Sequence, residues 1–221
     1  MEILDAATQL FSELGYAAAR TQTLADRLQV GKGTVYRHFP TKRDLFLAAV
    51  DRAMLLLREE VDRVVADVAD PYEKMCRAIH AYLTFFAARP EYVELLIQER
   101  ALFKDREKPT YFAHREVNIG RWCKLFETMI GEGRVRAVPV EQMIETIGDM
   151  LYGTMVANYF VRRDRGPEEQ AKVILDLVLR GVLTDAERAR LEKSGELRGA
   201  LGSGGQGGAC QGEDGAQARR L

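Results

Sequence analysis

The chain has 221 residues, of which 47% are hydrophobic and 29% charged, and its formal net charge is −1. These values are typical of a soluble protein, with room for one large helical domain or for a small domain and a larger one. No run of 18 or more apolar residues suggests a membrane span. The first residues are amphipathic and acidic rather than basic and apolar, so we expect no signal peptide and a cytoplasmic location.

The cysteines and histidines exclude several kinds of site. The three cysteines, Cys76, Cys123 and Cys210, are odd in number and far apart, which predicts neither a disulfide framework nor a metal site. The three histidines form no pair at metal-ligand spacing. The segment 31–34, Gly-Lys-Gly-Thr, resembles a phosphate loop only superficially, because the preceding strand and the full spacing are missing. We therefore expect no cofactor, no metal and no enzymatic activity.

Apolar side chains recur every three or four residues through most of the chain, which predicts an all-α fold. Gly15, Pro40 and Pro90 mark three of the breaks, and Thr184–Asp185 could cap a weak polar helix to about 194. From residue 194 onward the chain is glycine-rich and is predicted to be disordered. The main helices are predicted at about 2–14, 22–28, 32–38, 42–67, 71–89, 91–104, 110–130, 139–163 and 168–182.

Two helix starts carry capping signals. Thr41 precedes the long fourth helix, and Asp44 follows three residues later, which is a capping-box spacing with Asp in place of Glu or Gln. Asp70 precedes Pro71, a proline at the first helical position. Gly15 is predicted to end the first helix as a C′ residue.

Basic residues are concentrated between positions 20 and 43, where six of them accompany one acid, Asp26, although the whole chain is nearly neutral. Such a local excess suits a small DNA-binding module, because neutralising phosphates supplies much of its affinity. The short helices at 22–28 and 32–38, with a tight turn between them, form a predicted helix-turn-helix unit. In the second of these, Val35 and Phe39 would face the core.

The string LFSELGY…LADRLQVGKGTVYRHFPTKRDLF resembles the DNA-binding domain of the TetR/AcrR family of transcriptional regulators. The resemblance covers roughly residues 2–50. It departs from the family pattern at Arg20, Gln29 and Gly31, which replace a capping Ser or Thr, a turn Gly and a Ser. The matching positions are Leu10, Phe11, Gly15, Tyr16, Leu24, Ala25, Val30, Lys32, Gly33, Thr34, Val35, Tyr36, His38, Phe39, Lys42 and Leu45.

The resemblance implies a DNA contact set on both short helices. Arg37 is the expected reader of a guanine, since arginine can bond O6 and N7 together. His38 and Lys42 are expected to bind phosphate, as are polar groups at the start of the preceding helix. The expected contacts are Arg20, Thr21, Gln22, Thr23, Lys32, Gly33, Thr34, Tyr36, Arg37, His38 and Lys42.

The resemblance also implies an effector pocket and a dimer interface in the helices behind the DNA-binding domain. Aromatic and methionine side chains there suit an apolar or aromatic ligand. Polar groups that could orient it are His80, His114, Asn118 and Asn158. Gly148 and Gly153 could serve either close helix packing or ligand space. The expected ligand-binding residues are Tyr82, Phe86, Phe103, Phe112, Trp122, Phe126, Met155 and Tyr159.

Taken together, the sequence predicts a helix-turn-helix domain at 1–48, an effector-binding and dimerisation domain at 49–193, and a tail at 194–221. The predicted function is a ligand-responsive repressor that binds a palindromic operator as a homodimer and is released by a small molecule. The helix at 42–67 would transmit the ligand's effect by changing how the two DNA-binding domains match successive major grooves. Control by a protein partner is the alternative, and activation instead of repression stays open.

Overall fold

The computed structural model describes residues 2–161 and 165–180, and this part of the chain contains helices and no strand. The all-α prediction is confirmed. The chain divides after Val178 into two compact units, and all the packing below lies in the first. The predicted polar helix near 184–194 and the glycine-rich tail lie outside the described residues. The described helices are α1 (Glu2–Ala18), α2 (Thr21–Arg27), α3 (Lys32–His38), α4 (Lys42–Val65), α5 (Pro71–Ala88), α6 (Pro90–Leu102), α7 (Thr110–Gly131), α8 (Val140–Phe160) and α9 (Pro167–Arg180).

Gly15 interrupts α1 but does not end it. Its backbone has φ 74° and ψ 159°, a conformation nearly restricted to glycine, and the helix then continues to Ala18. The predicted break at Gly15 is therefore confirmed, but the assigned helix includes a further short stretch to Ala18 beyond it. The Tyr16 N–H donates to the side-chain oxygen of Gln98 on α6 at 2.8 Å.

The turn between α2 and α3 is closed by a Schellman motif with Gln29 at the position that usually holds glycine. Gln29 has φ 55°, the only positive φ of a non-glycine residue in the described chain. The Val30 N–H bonds the Ala25 carbonyl at 3.0 Å, and the Gln29 N–H bonds the Asp26 carbonyl at 3.2 Å. The turn thus keeps the helix-turn-helix geometry at the cost of an unfavourable backbone conformation, on the order of 1 kcal/mol.

α4 connects the N-terminal helices to the rest of the described fold. The predicted capping box is confirmed, because Thr41 accepts from the Asp44 N–H at 3.0 Å and the Asp44 carboxylate accepts from the Thr41 N–H at 3.0 Å. At about 1.5 Å per residue, its 24 residues span about 36 Å. Leu45 and Phe46 are buried with α1, whereas Leu57 and Val61 lie near the far end. The predicted domain boundary at residue 48 therefore falls within a continuous helix.

The helices behind α4 pack around its second half. α5 begins at the Asp70–Pro71 pair as predicted, with the Asp70 carboxylate accepting from the Glu73 N–H at 2.8 Å. α4 packs on α1, α5, α6 and α7, and α8 packs on α5, α6 and α7. No described helix combines the length and apolarity needed to cross a membrane.

Candidate DNA-binding surface and ligand cavity

α3 presents a polar face to solvent and is anchored by one apolar side chain. Val35 is completely buried against the core of α1, α2 and α4, while Phe39 packs against that core half-buried. Thr34 is half-buried. The other predicted contacts on this helix are exposed, namely Lys32, Gly33, Tyr36, Arg37 and His38. The buried residue fixes which face of α3 points outward, and that face carries the predicted readers of DNA.

Ion pairing divides the basic residues of this segment into two groups. Arg27 pairs with Glu13 at 2.7 Å, and Arg43 pairs with Asp105 at 2.5 Å. By contrast, Arg20, Lys32 and Arg37 form no ion pair within the described part of the chain. Their charges are therefore available to phosphates or bases.

The start of α2 differs in detail from the predicted contact set. Thr21 is buried, and its hydroxyl oxygen accepts from the Tyr36 hydroxyl at 3.4 Å, so its side chain links α2 to α3. Gln22 is exposed but donates to the Asp26 carboxylate at 2.8 Å. Thr23 is half-buried, and Arg20 occupies the N-cap without a side-chain capping bond. Arg20 is itself exposed and in no ion pair among the described residues.

Lys42 lies close to α3 in the chain, but its ammonium already contacts the end of α1. Its ammonium donates to the Ala17 carbonyl at 3.1 Å and lies 4.6 Å from the centre of the Tyr16 ring. Partial burial lowers the pKa of this lysine, and the neighbouring Tyr36 opposes that effect. Lys42 therefore ties the end of α1 to the start of α4, and a phosphate contact would have to share the ammonium with this bond.

A cavity of about 180 Å³ lies between α4, α5, α7 and α8. Its wall is mostly apolar on the α5 and α8 sides, whereas α4 contributes Arg58 and α7 contributes several polar groups. Three of the predicted ligand-binding residues line it: Tyr82, Trp122 and Phe126. Two of the predicted orienting groups, His114 and Asn118, line it too.

The other predicted ligand-binding residues lie elsewhere. Phe86, Met155 and Tyr159 surround a separate space of about 80 Å³. Phe112 faces an outer groove between α7 and α8. Phe103 packs edge-on against Tyr16 of the DNA-binding domain, with ring centres 5.1 Å apart, and so belongs to the junction between the two regions. Aromatic residues at helical spacing fill the core as readily as they line a pocket, and the sequence pattern alone could not separate the two roles.

Two of the predicted polar groups have other surroundings. His80 is exposed on α5. Asn158 exchanges hydrogen bonds with Gln170 of α9, the shorter at 2.8 Å. Both therefore lie away from the larger cavity.

A tyrosine pair lies at one wall of the larger cavity. The hydroxyls of Tyr82 and Tyr111 are 2.9 Å apart, and the Tyr82 hydroxyl also donates to the Met155 sulfur at 3.6 Å. Burial raises the pKa of Tyr111 to about 12 and raises that of Tyr82 well above its ordinary value. Both phenols are neutral at physiological pH and can hydrogen-bond a ligand as neutral donors or acceptors.

Sequence reasoning missed half of the α7 wall, which follows a helical repeat. Tyr111, Arg115 and Ile119 line the cavity in steps of four residues, and Arg121 joins them. The signal was present in the spacing, but arginines on a cavity-facing stripe look like a solvated helix face. On α8, Gly148 makes room for Arg115, because a Cβ there would lie 2.7 Å from the guanidinium carbon. Close packing between α7 and α8 therefore accounts for this glycine.

Metal or thiol chemistry finds little support in the described region. No group of three or more His, Cys, Asp or Glu residues there is arranged to hold a metal ion. Cys76 and Cys123 are half-buried free thiols, and burial raises the pKa of both. Cys210 lies outside the described residues.

A helix-turn-helix unit with an exposed basic second helix, joined by one long helix to a largely apolar cavity, is typical of DNA-binding transcriptional regulators. Residues 3–49 match the family model described as bacterial regulatory proteins, tetR family. Over these residues the chain matches the TetR family of transcriptional regulators.

Curated relatives and solved structures agree with this assignment. The regulator HbdR of Aromatoleum sp. (strain CIB) is 28% identical over 49% of this chain and 51% of its own length. The repressor KstR of Mycobacterium tuberculosis is 25% identical over 85% of this chain and 81% of its own. The chain thus spans about half the length of one relative and four fifths of the other.

Among solved structures, the TetR-family regulator PfmR of Thermus thermophilus has a TM-score of 0.66 at 26% identity, covering 82% of this chain and 99% of PfmR. The regulator FadR of Bacillus subtilis, solved in complex with stearoyl-CoA, has a TM-score of 0.67 at 18% identity, covering 83% and 99%. The latter likeness concerns the fold alone.

Proposed function

We propose that this protein is a ligand-responsive repressor that binds a palindromic DNA operator as a homodimer and is released by a small molecule. The observation that carries the proposal is the course of α4. Its first turns are buried in the DNA-binding domain at Leu45 and Phe46, and its second half lines the cavity at Met54, Leu57 and Val61. A ligand that shifts this half of α4 would move the recognition helix with it.

The DNA-binding part of the proposal rests on the exposed charges of α3. Arg37 is exposed and in no ion pair within the described residues, so its guanidinium is available for a bidentate contact with a guanine. Lys32, Tyr36 and His38 share the exposed face and are the proposed phosphate and base contacts. Arg20 and Lys42 are proposed to flank them at the phosphate backbone.

The homodimer is supported by large apolar side chains left exposed on the last two described helices. Phe160 and Val161 at the end of α8, and Val173 and Leu177 on α9, are 67%, 58%, 41% and 42% exposed. Large apolar side chains left exposed in this number are typical of a protein–protein interface. A second copy of the chain is the occupant that a palindromic operator requires.

The effector part of the proposal rests on the cavity between α4, α5, α7 and α8. An apolar cavity with a few polar groups is the usual form of a small-molecule site. FadR, which shares the fold, is solved with stearoyl-CoA, so this architecture can hold a ligand. The cavity favours a small-molecule effector over control by a protein partner.

The test begins with selection of bound sequences from a random duplex pool, comparing the wild type with Arg37→Ala and Arg63→Ala. Arg63 lies on α4 outside the helix-turn-helix and pairs with Glu60, so its variant is the matched control. We expect the wild type and the control to select one palindrome. Arg37→Ala should lose about 1–3 kcal/mol of discrimination at one base pair. Weak binding without sequence preference in all three proteins would contradict the proposal, as would a cavity ligand that leaves operator affinity unchanged.

A further inference from the structure

The charges around the cavity are not balanced. Three arginines line it, and Arg115 is fully matched: it donates to the Asp149 carboxylate at 2.6 Å and to the Glu145 carbonyl at 2.7 Å. His114, also on the wall, bonds the Asp51 carboxylate at 2.6 Å. The remaining two arginines, Arg58 and Arg121, do not each have a carboxylate of their own.

Arg58 of α4 and Arg121 of α7 share one carboxylate. The Nε of Arg58 lies 3.5 Å from Asp62, and a guanidinium nitrogen of Arg121 donates to the other oxygen of the same group. Two guanidinium groups against one carboxylate leave one positive charge in excess at this edge of the cavity. The Nε of Arg121 is buried and has no hydrogen-bond partner among the described residues. A buried donor without a partner costs free energy, which a ligand acceptor would recover.

The same edge opens toward a second space. Arg58, His114 and Asn118 line the cavity and also face a wider groove of about 520 Å³ between α4 and α7. The cavity itself, at about 180 Å³, is close to the engineered cavity of about 150 Å³ that holds benzene. It can therefore enclose a ring or a short chain, and a larger effector has room for its polar part only on the groove side.

We infer that the effector is an anionic amphiphile, with its apolar end in the cavity and its anionic group at Arg58 and Arg121. This inference rests on the proposed function, because it names the ligand class of the same cavity. A carboxylate would bond the free Arg121 Nε–H and offset the excess charge directly. A coenzyme A thioester would instead place its phosphates in the groove, which Arg58 also lines. The shared chemistry is an acyl chain joined to an anionic group.

Trp122 gives a direct assay, because it is the only tryptophan of the chain and it lines the cavity beside Arg121. Its fluorescence is titrated with octanoate, octanoyl-CoA and octan-1-ol, which have chains of equal length. We expect at least one of the two anions to bind about tenfold more tightly than the alcohol, because only an anion can form a charge-assisted hydrogen bond with both partners ionised. The tighter anion identifies whether a carboxylate or a thioester is preferred. Equal affinity for all three would overturn the inference.

Three variants separate charge recognition from folding. Arg121→Met should abolish the preference for the anion while leaving octanol binding intact. Asp62→Asn should strengthen anion binding, because both guanidinium groups lose their competing carboxylate. If the ion pair were purely structural, Asp62→Asn and Arg121→Met would both bind the anions more weakly. Arg77→Met is the matched control, since Arg77 pairs with Glu73 on the exposed side of α5 and lies outside the cavity wall. An unchanged anion preference in Arg121→Met would also overturn the inference. This assay needs no DNA, so its result is independent of the operator test.

Discussion

The side chain of Gln98 bridges the break in α1. Its oxygen accepts from the Tyr16 N–H at 2.8 Å, and its nitrogen donates to the Phe11 carbonyl at 3.0 Å. The break at Gly15 removes helical partners from the backbone groups around it, and a side chain of α6 replaces them. The DNA-binding domain is therefore tied to the helices behind it by α6 as well as by α4.

The next residue along α6 continues this connection toward α7. Glu99 is only 1% exposed, and its carboxylate accepts from the N–H of Thr110 at 3.0 Å and from its hydroxyl at 2.7 Å. Arg106 completes the cluster as the carboxylate's charged partner. Since α7 forms one wall of the cavity, Gln98 and Glu99 connect that wall to α1 through two adjacent residues.

Replacing Gln98 with alanine should weaken both the fold and operator binding. The substitution leaves the Tyr16 N–H and the Phe11 carbonyl without partners, and a buried polar group without its bond costs about 1–3 kcal/mol. Thermal unfolding should show a lower Tm, and operator binding should weaken because α1 supports the recognition helix. Gln9→Ala, at an exposed position of α1, serves as the control and should change neither quantity. An unaltered Tm in Gln98→Ala would show that water replaces the side chain at no cost.

Replacing Gly15 with alanine should destabilise the protein through backbone strain alone. A Cβ at this position would meet no atom within 4 Å, so a steric clash is not the cause. The φ of 74° and ψ of 159° are nearly inaccessible to alanine, and such strain costs about 1–3 kcal/mol. Gly120→Ala, within α7 and equally unobstructed, should instead stabilise by roughly 0.5–1 kcal/mol. Urea unfolding of both variants measures the difference, and shifts of the same sign would contradict this account.

The buried tyrosine pair should make the protein sensitive to alkali. The pKa of Tyr111 is about 12 in the folded state and near 10 in the unfolded chain. Its contribution to stability is therefore complete below pH 10 and is lost as the pH rises toward 12, by on the order of 2 kcal/mol in total. The free energy of unfolding is measured with urea at pH 9 and at pH 11. Between these two values it should fall less in Tyr111→Phe than in the wild type. Equal decreases in Tyr111→Phe and in the wild type would count against the buried pair.

The fold class, the helix-turn-helix and most helix limits could be predicted from the amino-acid sequence. Local signals set these features: apolar spacing of three to four residues, the Thr41–Asp44 capping box and the Asp70–Pro71 start all act within one or two helical turns. The outward face of α3 is equally local, because Val35 and Phe39 decide which side of this helix packs on the core. The DNA contacts themselves stay predictions from the family resemblance, and the structure adds which of the charged groups are unpaired.

Which side chains share a cavity, and how the two regions are connected, became clear only from the packing of the helices. Phe103 and Phe126 look alike in sequence, yet one packs on Tyr16 and the other lines the cavity. Gly15 breaks α1 as its sequence position predicts, but only the packing brings Gln98, 82 positions beyond Tyr16, to the hydrogen-bonding group that the break leaves free. The charge excess at Arg58 and Arg121 exists because α4 and α7 pack side by side around Asp62. Each of these features depends on contacts between distant segments, which no local pattern specifies.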